Sequence, residues 1–157
     1  MTGISYHNAR QTCLRHADRL RWAIGELSPY RPFVGDTLSQ LSDVELAICD
    51  QFVVRFAKLQ DAMGTQLLPA ILELSGEPGS MPAFIDKLHR LEKIGALRSA
   101  EQWLQLREMR NQFAHDYPDD PEIQASLFNK AMAMAEVLLE MLEEADGFAQ
   151  HLLQKGD

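Results

Sequence analysis

Apolar side chains recur along this chain every three to four positions, and nowhere do they alternate with polar ones at the two-residue period of a half-buried strand. The pattern predicts an all-α protein. Cys13, Leu14, Ala17, Leu20, Ile24 and Leu27 mark a first helix from about Ser5 to Leu27, stopped by the Pro29 to Pro32 segment. A second, long helix opens at Ser42, where Ser42-Asp43-Val44-Glu45 fits a capping box, and carries the stripe Val44, Ile48, Phe52, Phe56, Leu59 and Met63. Pro69 is expected to kink or end it, since proline has no N–H to give to the preceding turn. Pro82 to Ile94 reads as a short helix ending near Gly95. Ser99-Ala100-Glu101-Gln102 is another capping box, opening a helix through Trp103, Leu106, Met109, Gln112 and Phe113 toward Pro118. Asp120-Pro121, an N-cap with proline at the first helical position, starts a last helix that runs to about Leu153. Four main helices and one short one predict an antiparallel four-helix bundle with an additional short helix. At 157 residues the chain is read as a single domain, 1–157.

Composition adds boundaries rather than identity. With 46% hydrophobic and 24% charged residues, the chain has the make-up of a soluble globular protein. No apolar run approaches the ~20 residues of a membrane span, and Met1 to Arg10 lacks the apolar block of a signal peptide, so a cytoplasmic protein with no membrane partner is expected. Cys13 and Cys49 lie inside apolar helical patterns without a CxxC or a Cys/His cluster. They read as reduced thiols, with no metal site and no cofactor expected. The net charge of −8 argues against broad binding to nucleic acid, but it is unevenly spread. Residues 119–157 hold nine acids against two lysines, whereas 86–117 hold six Lys/Arg against five acids. A locally neutral to basic site can therefore exist on an acidic protein.

The densest polar cluster is Arg107-Glu108-Met109-Arg110-Asn111-Gln112-Phe113-Ala114-His115-Asp116-Tyr117. At roughly 100° per residue, Asn111 and His115 share a face one turn apart. Pro118 disfavours helical geometry at Tyr117, so His115 and Tyr117 are expected on the last turn or just beyond it. A histidine can move protons near neutral pH, and an arginine holds phosphate through a fixed fork of donors. Together they suit phosphodiester chemistry without a metal. Spacing alone leaves a plainer account open: His115 favoured by a helix C-terminus, Arg107 and Arg110 paired with Glu108 or Asp116, and Tyr117 packed as an ordinary aromatic.

Arg110-Asn111-Gln112-Phe113-Ala114-His115-Asp116-Tyr117 resembles the Arg-x4-His-x-Tyr signature of the HEPN superfamily, in particular the toxins of HEPN-MNT toxin-antitoxin pairs and the related nucleotidyltransferase substrate-binding proteins. The resemblance implies a HEPN-like helical bundle that forms a homodimer, with two motifs facing one cleft. It also implies metal-independent RNA cleavage, the ribose 2′-hydroxyl attacking the adjacent phosphate. Arg110 would then hold the phosphate, His115 would serve in proton transfer or transition-state stabilisation, and Asn111 would orient the site. Tyr117 matches the tyrosine that a partner MNT-type nucleotidyltransferase can modify with AMP. The substrate-binding branch often carries Arg-Phe-Glu on the second helix, where this chain has Arg55-Phe56-Ala57. A polar residue from that helix is expected to meet the motif, with Asp61 and Lys58 as candidates.

Other features are weaker. Gly76-Glu77-Pro78-Gly79 lacks the lysine and spacing of a phosphate-binding loop and reads as a turn. His7, His16, His89 and His151 form no metal motif. Arg10, Arg15, Arg19 and Arg21 make the first helix basic, which could steer RNA or simply face solvent. Met132, Met134 and Met141 suit a core or a dimer seam, and Trp22 and Trp103 read as core or interface aromatics. Three functions follow as expectations: a HEPN-type ribonuclease toxin controlled by a nucleotidyltransferase, a noncatalytic substrate- or nucleotide-binding subunit of such an enzyme, or a helical module whose motif is inert.

Overall fold

The computed structural model describes residues 2–77, 83–114 and 120–156, and within them the chain is all-α, with no strand. Helix α1 (Thr2–Leu27) ends in a 3₁₀ turn at Ser28–Tyr30, where the Pro29 to Pro32 segment begins. A five-residue α2 (Gly35–Ser39) follows, too short to leave a periodic signature in the sequence. Next come α3 (Asp43–Ala62), a π turn at Met63–Leu67, α4 (Leu68–Leu74), α5 (Phe84–Ile94), α6 (Ala100–Gln112) and α7 (Pro121–Lys155).

Local chemistry explains most of the boundaries. The Ser42 hydroxyl accepts from the Glu45 N–H at 3.2 Å and the Glu45 carboxylate accepts from the Ser42 N–H at 2.9 Å, completing the expected box. The second box is only half made. Ser99 accepts from the Gln102 N–H at 3.1 Å, but the Gln102 Oε1 is buried without a hydrogen-bond partner. Asp120 caps α7 by accepting from the N–H groups of Glu122 and Ile123. Gly95, at φ 90°, closes α5 in the left-handed region that other residues avoid.

Pro69 does not end the second helix. Upstream of it, the Leu68 N–H reaches five residues back to the Met63 carbonyl, so the helical register slips by one before the proline arrives. The wider turn accommodates a residue that has no N–H to offer and a ring that would crowd the carbonyl four residues before it. Thr65 ties the same turn to the end of α3 by donating its hydroxyl to the Asp61 carbonyl at 2.7 Å.

The core lies between α1, α3–α4, α6 and α7, with α1 packed most extensively on α3. Trp103 is fully buried as an expected core aromatic, whereas Trp22 is 49% exposed. Met132 and Met141 are core residues and Met134 packs at its edge. A run of aromatic contacts crosses the molecule: Phe33 on Phe128, Phe128 on Phe52, Phe52 on Phe56, and Phe56 edge-on to Phe113 at 5.1 Å. The last contact fixes the end of α6, which carries the polar cluster, against the middle of α3.

Buried polar contacts tie α7 to the rest of the chain. The Tyr6 hydroxyl donates to Asp146, whose carboxylate also accepts from the Arg10 Nε at 2.9 and 3.0 Å, and Gln150 donates to Tyr6 at 3.1 Å. Burial, followed by the hydrogen bond to Asp146, pushes the Tyr6 hydroxyl up to about 12, so it stays a donor at any ordinary pH. Asn129 grips the backbone of Phe33 on both its N–H and its carbonyl, each at 2.8 Å, and holds the segment around α2 onto α7. Both cysteines are free, and burial is the leading cause that pushes Cys13 up to about 12 and Cys49 to about 11. Neither is a ready thiolate. No helix among the described residues is long and apolar enough to cross a membrane.

Candidate functional site

The site begins with the amphipathic pattern of α6. Trp103, Leu106 and Met109 face the core, and Phe113 follows at the next turn against Phe56. With that face buried, Arg110 emerges at the rim between α6 and α3. Its Nε donates to Asp61 Oδ1 at 3.0 Å and its Nη2 to Asp61 Oδ2 at 3.1 Å, a two-pronged pair between the last turn of α6 and the end of α3. Arginine takes this planar fork where lysine offers only a point charge. The hydrogen bonds and charge of Asp61 hold the Arg110 guanidinium above its ordinary pKa. Two of its five N–H donors face Asp61, and the other three meet no acceptor among the described residues.

Of the expected site residues, the fold thus brings Arg110 and Asp61 together over 49 positions of sequence. Arg110 is not paired with Glu108, the neighbour that local spacing also allowed. Lys58 is exposed one turn before Asp61, with no ion pair among the described residues, and it makes no contact with Arg110 there. Asn111 is exposed on α6, with no side-chain hydrogen bond among the described residues. His115, Asp116 and Tyr117 lie outside the described residues.

Beside the ion pair is a cleft of about 200 Å³, lined by Gln60, Asp61, Gly64, Thr65, Phe84 and Arg107. The Arg107 guanidinium lies over the Phe84 ring, 5.7 Å from its centroid, instead of pairing with Glu108. Gln60 is 4% exposed, and its amide has no hydrogen bond among the described residues. Gly64, inside the π turn, leaves the wall flat: a Cβ there would come within 3.2 Å of the buried Trp103 ring and 4.0 Å of the Gln60 amide. Sequence reasoning did not single out Gln60, Phe84 or Gly64. The available signal was a glutamine beside Leu59 in an apolar stripe, a burial that ordinarily requires a partner.

Other cations lie on α1 and α3. Arg15 and Arg19 of α1 and Arg55 and Lys58 of α3 have no carboxylate partner among the described residues. Arg55 donates to the His16 Nδ1 at 2.9 Å. His16 is held below its ordinary value by burial first, then by Arg55, Lys58 and Arg15, which is the electrostatic mark of crowded cations. Among the described residues no group of three or more His, Cys, Asp or Glu side chains is gathered as a metal site requires. No protein-family model matches the chain, and neither a curated protein nor a solved structure does.

Proposed function

We propose that the chain is a HEPN-type toxin, a metal-independent endoribonuclease held in check by an MNT-type nucleotidyltransferase. The observation that carries the reading is Arg110, the first residue of the Arg-x4-His-x-Tyr pattern, fixed by Asp61 at the end of α6 with three N–H donors that meet no acceptor among the described residues. Arg15, Arg19, Arg55 and Lys58, which have no carboxylate partner among the described residues, support it, because they offer an RNA backbone local positive charge on a chain of net −8. In the proposed reaction the ribose 2′-oxygen attacks the adjacent phosphorus and the bond to the 5′-oxygen breaks. The products are a 2′,3′-cyclic phosphate and a 5′-hydroxyl. Arg110 stabilises the charge on the phosphate oxygens, His115 moves a proton, and Asn111 orients the site. A homodimer would bring two Arg110 guanidinium groups to one substrate.

The test is cleavage of a defined RNA by the purified chain. Cleavage is expected to persist in EDTA and to leave the cyclic phosphate, and His115→Ala is expected to lower the rate by roughly 10² to 10⁴. Unchanged cleavage in that variant would remove the assignment. If Tyr117 carries the control, co-expression with the nucleotidyltransferase adds AMP to the intact mass, and Tyr117→Phe abolishes the gain.

One observation favours a second reading, a noncatalytic nucleotide- or substrate-binding subunit. The Nε–Nη2 edge of Arg110, the one best shaped for a bidentate phosphate contact, is already filled by Asp61. An unmodified chain that binds the nucleotidyltransferase tightly and cleaves no RNA would favour that subunit.

A further inference from the structure

The cleft beside Arg110 holds an amide that no other group among the described residues uses. Gln60 is buried as a residue, 4% exposed, and lines the cleft. Water in the cleft can serve its amide, and a ligand entering there would exchange that water for a donor and an acceptor of its own. The cleft is below the ~300 to 1,000 Å³ of pockets that enclose a whole drug-sized ligand, which leaves room for one planar ring. Its walls match such a ring. Gly64, itself buried, puts no side chain into the wall, and Phe84 with the Arg107 guanidinium over it gives the aromatic and planar cationic surfaces on which bases stack. Arg110 stands next to it through their shared neighbour Asp61, whose two oxygens are occupied by that arginine.

We propose that this cleft is a nucleobase subsite, in which the Gln60 amide reads a hydrogen-bonding edge of the base and Arg107 and Arg110 take the attached phosphate. The choice of RNA as the source of that base rests on the ribonuclease reading, while a free nucleotide presents the same base and phosphate. In RNA, the subsite would set which nucleotide flanks the scissile bond.

The test measures binding of the full chain carrying His115→Ala, which separates binding from cleavage, to four short homopolymeric ribonucleotides and to AMP, GMP, CMP and UMP. One base is expected to bind better than the weakest by roughly 5- to 150-fold, the discrimination of a good bidentate contact. Gln60→Met keeps the volume and removes the amide, and it is expected to erase the preference while leaving the weakest probe's affinity unchanged. Phe84→Leu is expected to weaken all bases together, by roughly 5- to 150-fold from lost stacking. Helical circular dichroism and thermal melting of each variant distinguish a lost contact from a lost fold, and either variant alone suffices. Equal binding of all four bases, or a preference that survives Gln60→Met, overturns the subsite even where the parent chain cleaves RNA. A preference shown by mononucleotides from a chain that cleaves nothing upholds the subsite and transfers it to the nucleotide-binding subunit. No binding of any probe overturns it, and cleavage by the parent chain is then judged separately.

Discussion

Two sets of arginines behave oppositely in this protein. Along α7, the carboxylates that make the sequence look like an acidic tail are taken up inside the chain: Glu136 by Arg31 at 2.6 Å, Glu140 and Glu144 by Arg98 at 2.9 and 2.7 Å, Glu143 by Arg21 at 3.2 Å, and Asp146 by Arg10 at 2.9 Å. On α1, α3 and α6, Arg15, Arg19 and Arg55 have no carboxylate among the described residues, Arg107 lies over an aromatic ring, and Arg110 meets Asp61 with two of its five N–H donors. Helical spacing divides α1 between the two sets. Arg10 and Arg21, three turns apart, share a face toward α7, while Arg15 and Arg19, one turn apart, share another. The difference separates cations that pair with carboxylates of α7 from cations that have no carboxylate among the described residues or, like Arg110, use only part of their donors on one. Net charge does not make that distinction.

The comparison is broken or sharpened by substitution, beginning with Arg110. Arg110→Lys keeps the charge and loses the fork, and the proposed chemistry then falls by roughly 10² to 10³ in rate, the cost of losing one preorganised donor. Its effect on stability stays under about 1 kcal/mol, because the pair with Asp61 is exposed by 33% and 48%. RNA turnover against urea unfolding measures both. A large stability loss would place Arg110 with the structural set.

Asp146→Ala should do the reverse. It leaves the Tyr6 hydroxyl and the Arg10 guanidinium without their acceptor in a half-buried network, a loss of about 2 to 3 kcal/mol in urea unfolding with no direct effect on RNA binding. A midpoint equal to that of the parent chain would mean the network contributes nothing net.

Arg15, Arg19 and Arg55 changed together to Gln should leave the unfolding midpoint nearly in place and flatten the salt dependence of RNA binding. The expected loss is about 2 in the logarithmic slope, at ~0.7 per single-strand phosphate contact. Arg98→Gln should cost stability by under about 1 kcal/mol and leave that slope alone, since both its partners are on α7.

The smallest effect concerns pH. Burial and the neighbouring Arg55, Lys58 and Arg15 hold His16 below 6.5, so the unfolded chain binds a proton there that the native chain resists. His16 is thus neutral in both states and without effect above 6.5, and it destabilises the native state progressively as pH falls from 6.5 through its lowered value. His16→Gln should remove this part of the acid destabilisation and leave stability above 6.5 unchanged, as read by urea midpoints across that window. An unchanged slope in the variant would show that His16 does not feel the cations.

The element order was legible because helical periodicity and caps are local: Ser42 and Glu45 are three residues apart, and Asp120 bonds to the two residues just past Pro121. Arg110 could be noted in a dense polar cluster, but the Arg-x4-His-x-Tyr pattern and the resemblance it carries made it a candidate, and only that resemblance pointed to Asp61 or Lys58 on the second helix. What sequence left open depended on distance in space. Pro69 had two outcomes, and whether a neighbouring turn could slip into π register was decided by how the packed helix absorbed it. The acidic run of α7 gave only a charge count, and packing against α1 and Arg98 decided that its exposed carboxylates pair with arginines of the same chain. The cleft was equally hidden, because Gln60, Phe84 and Arg107 belong to three helices and their meeting follows from helix packing, which no local pattern encodes. Sequence alone determined the helices and nominated the motif. Tertiary structure decided which arginines were already used, because a charge is free or paired only according to what the fold sets beside it.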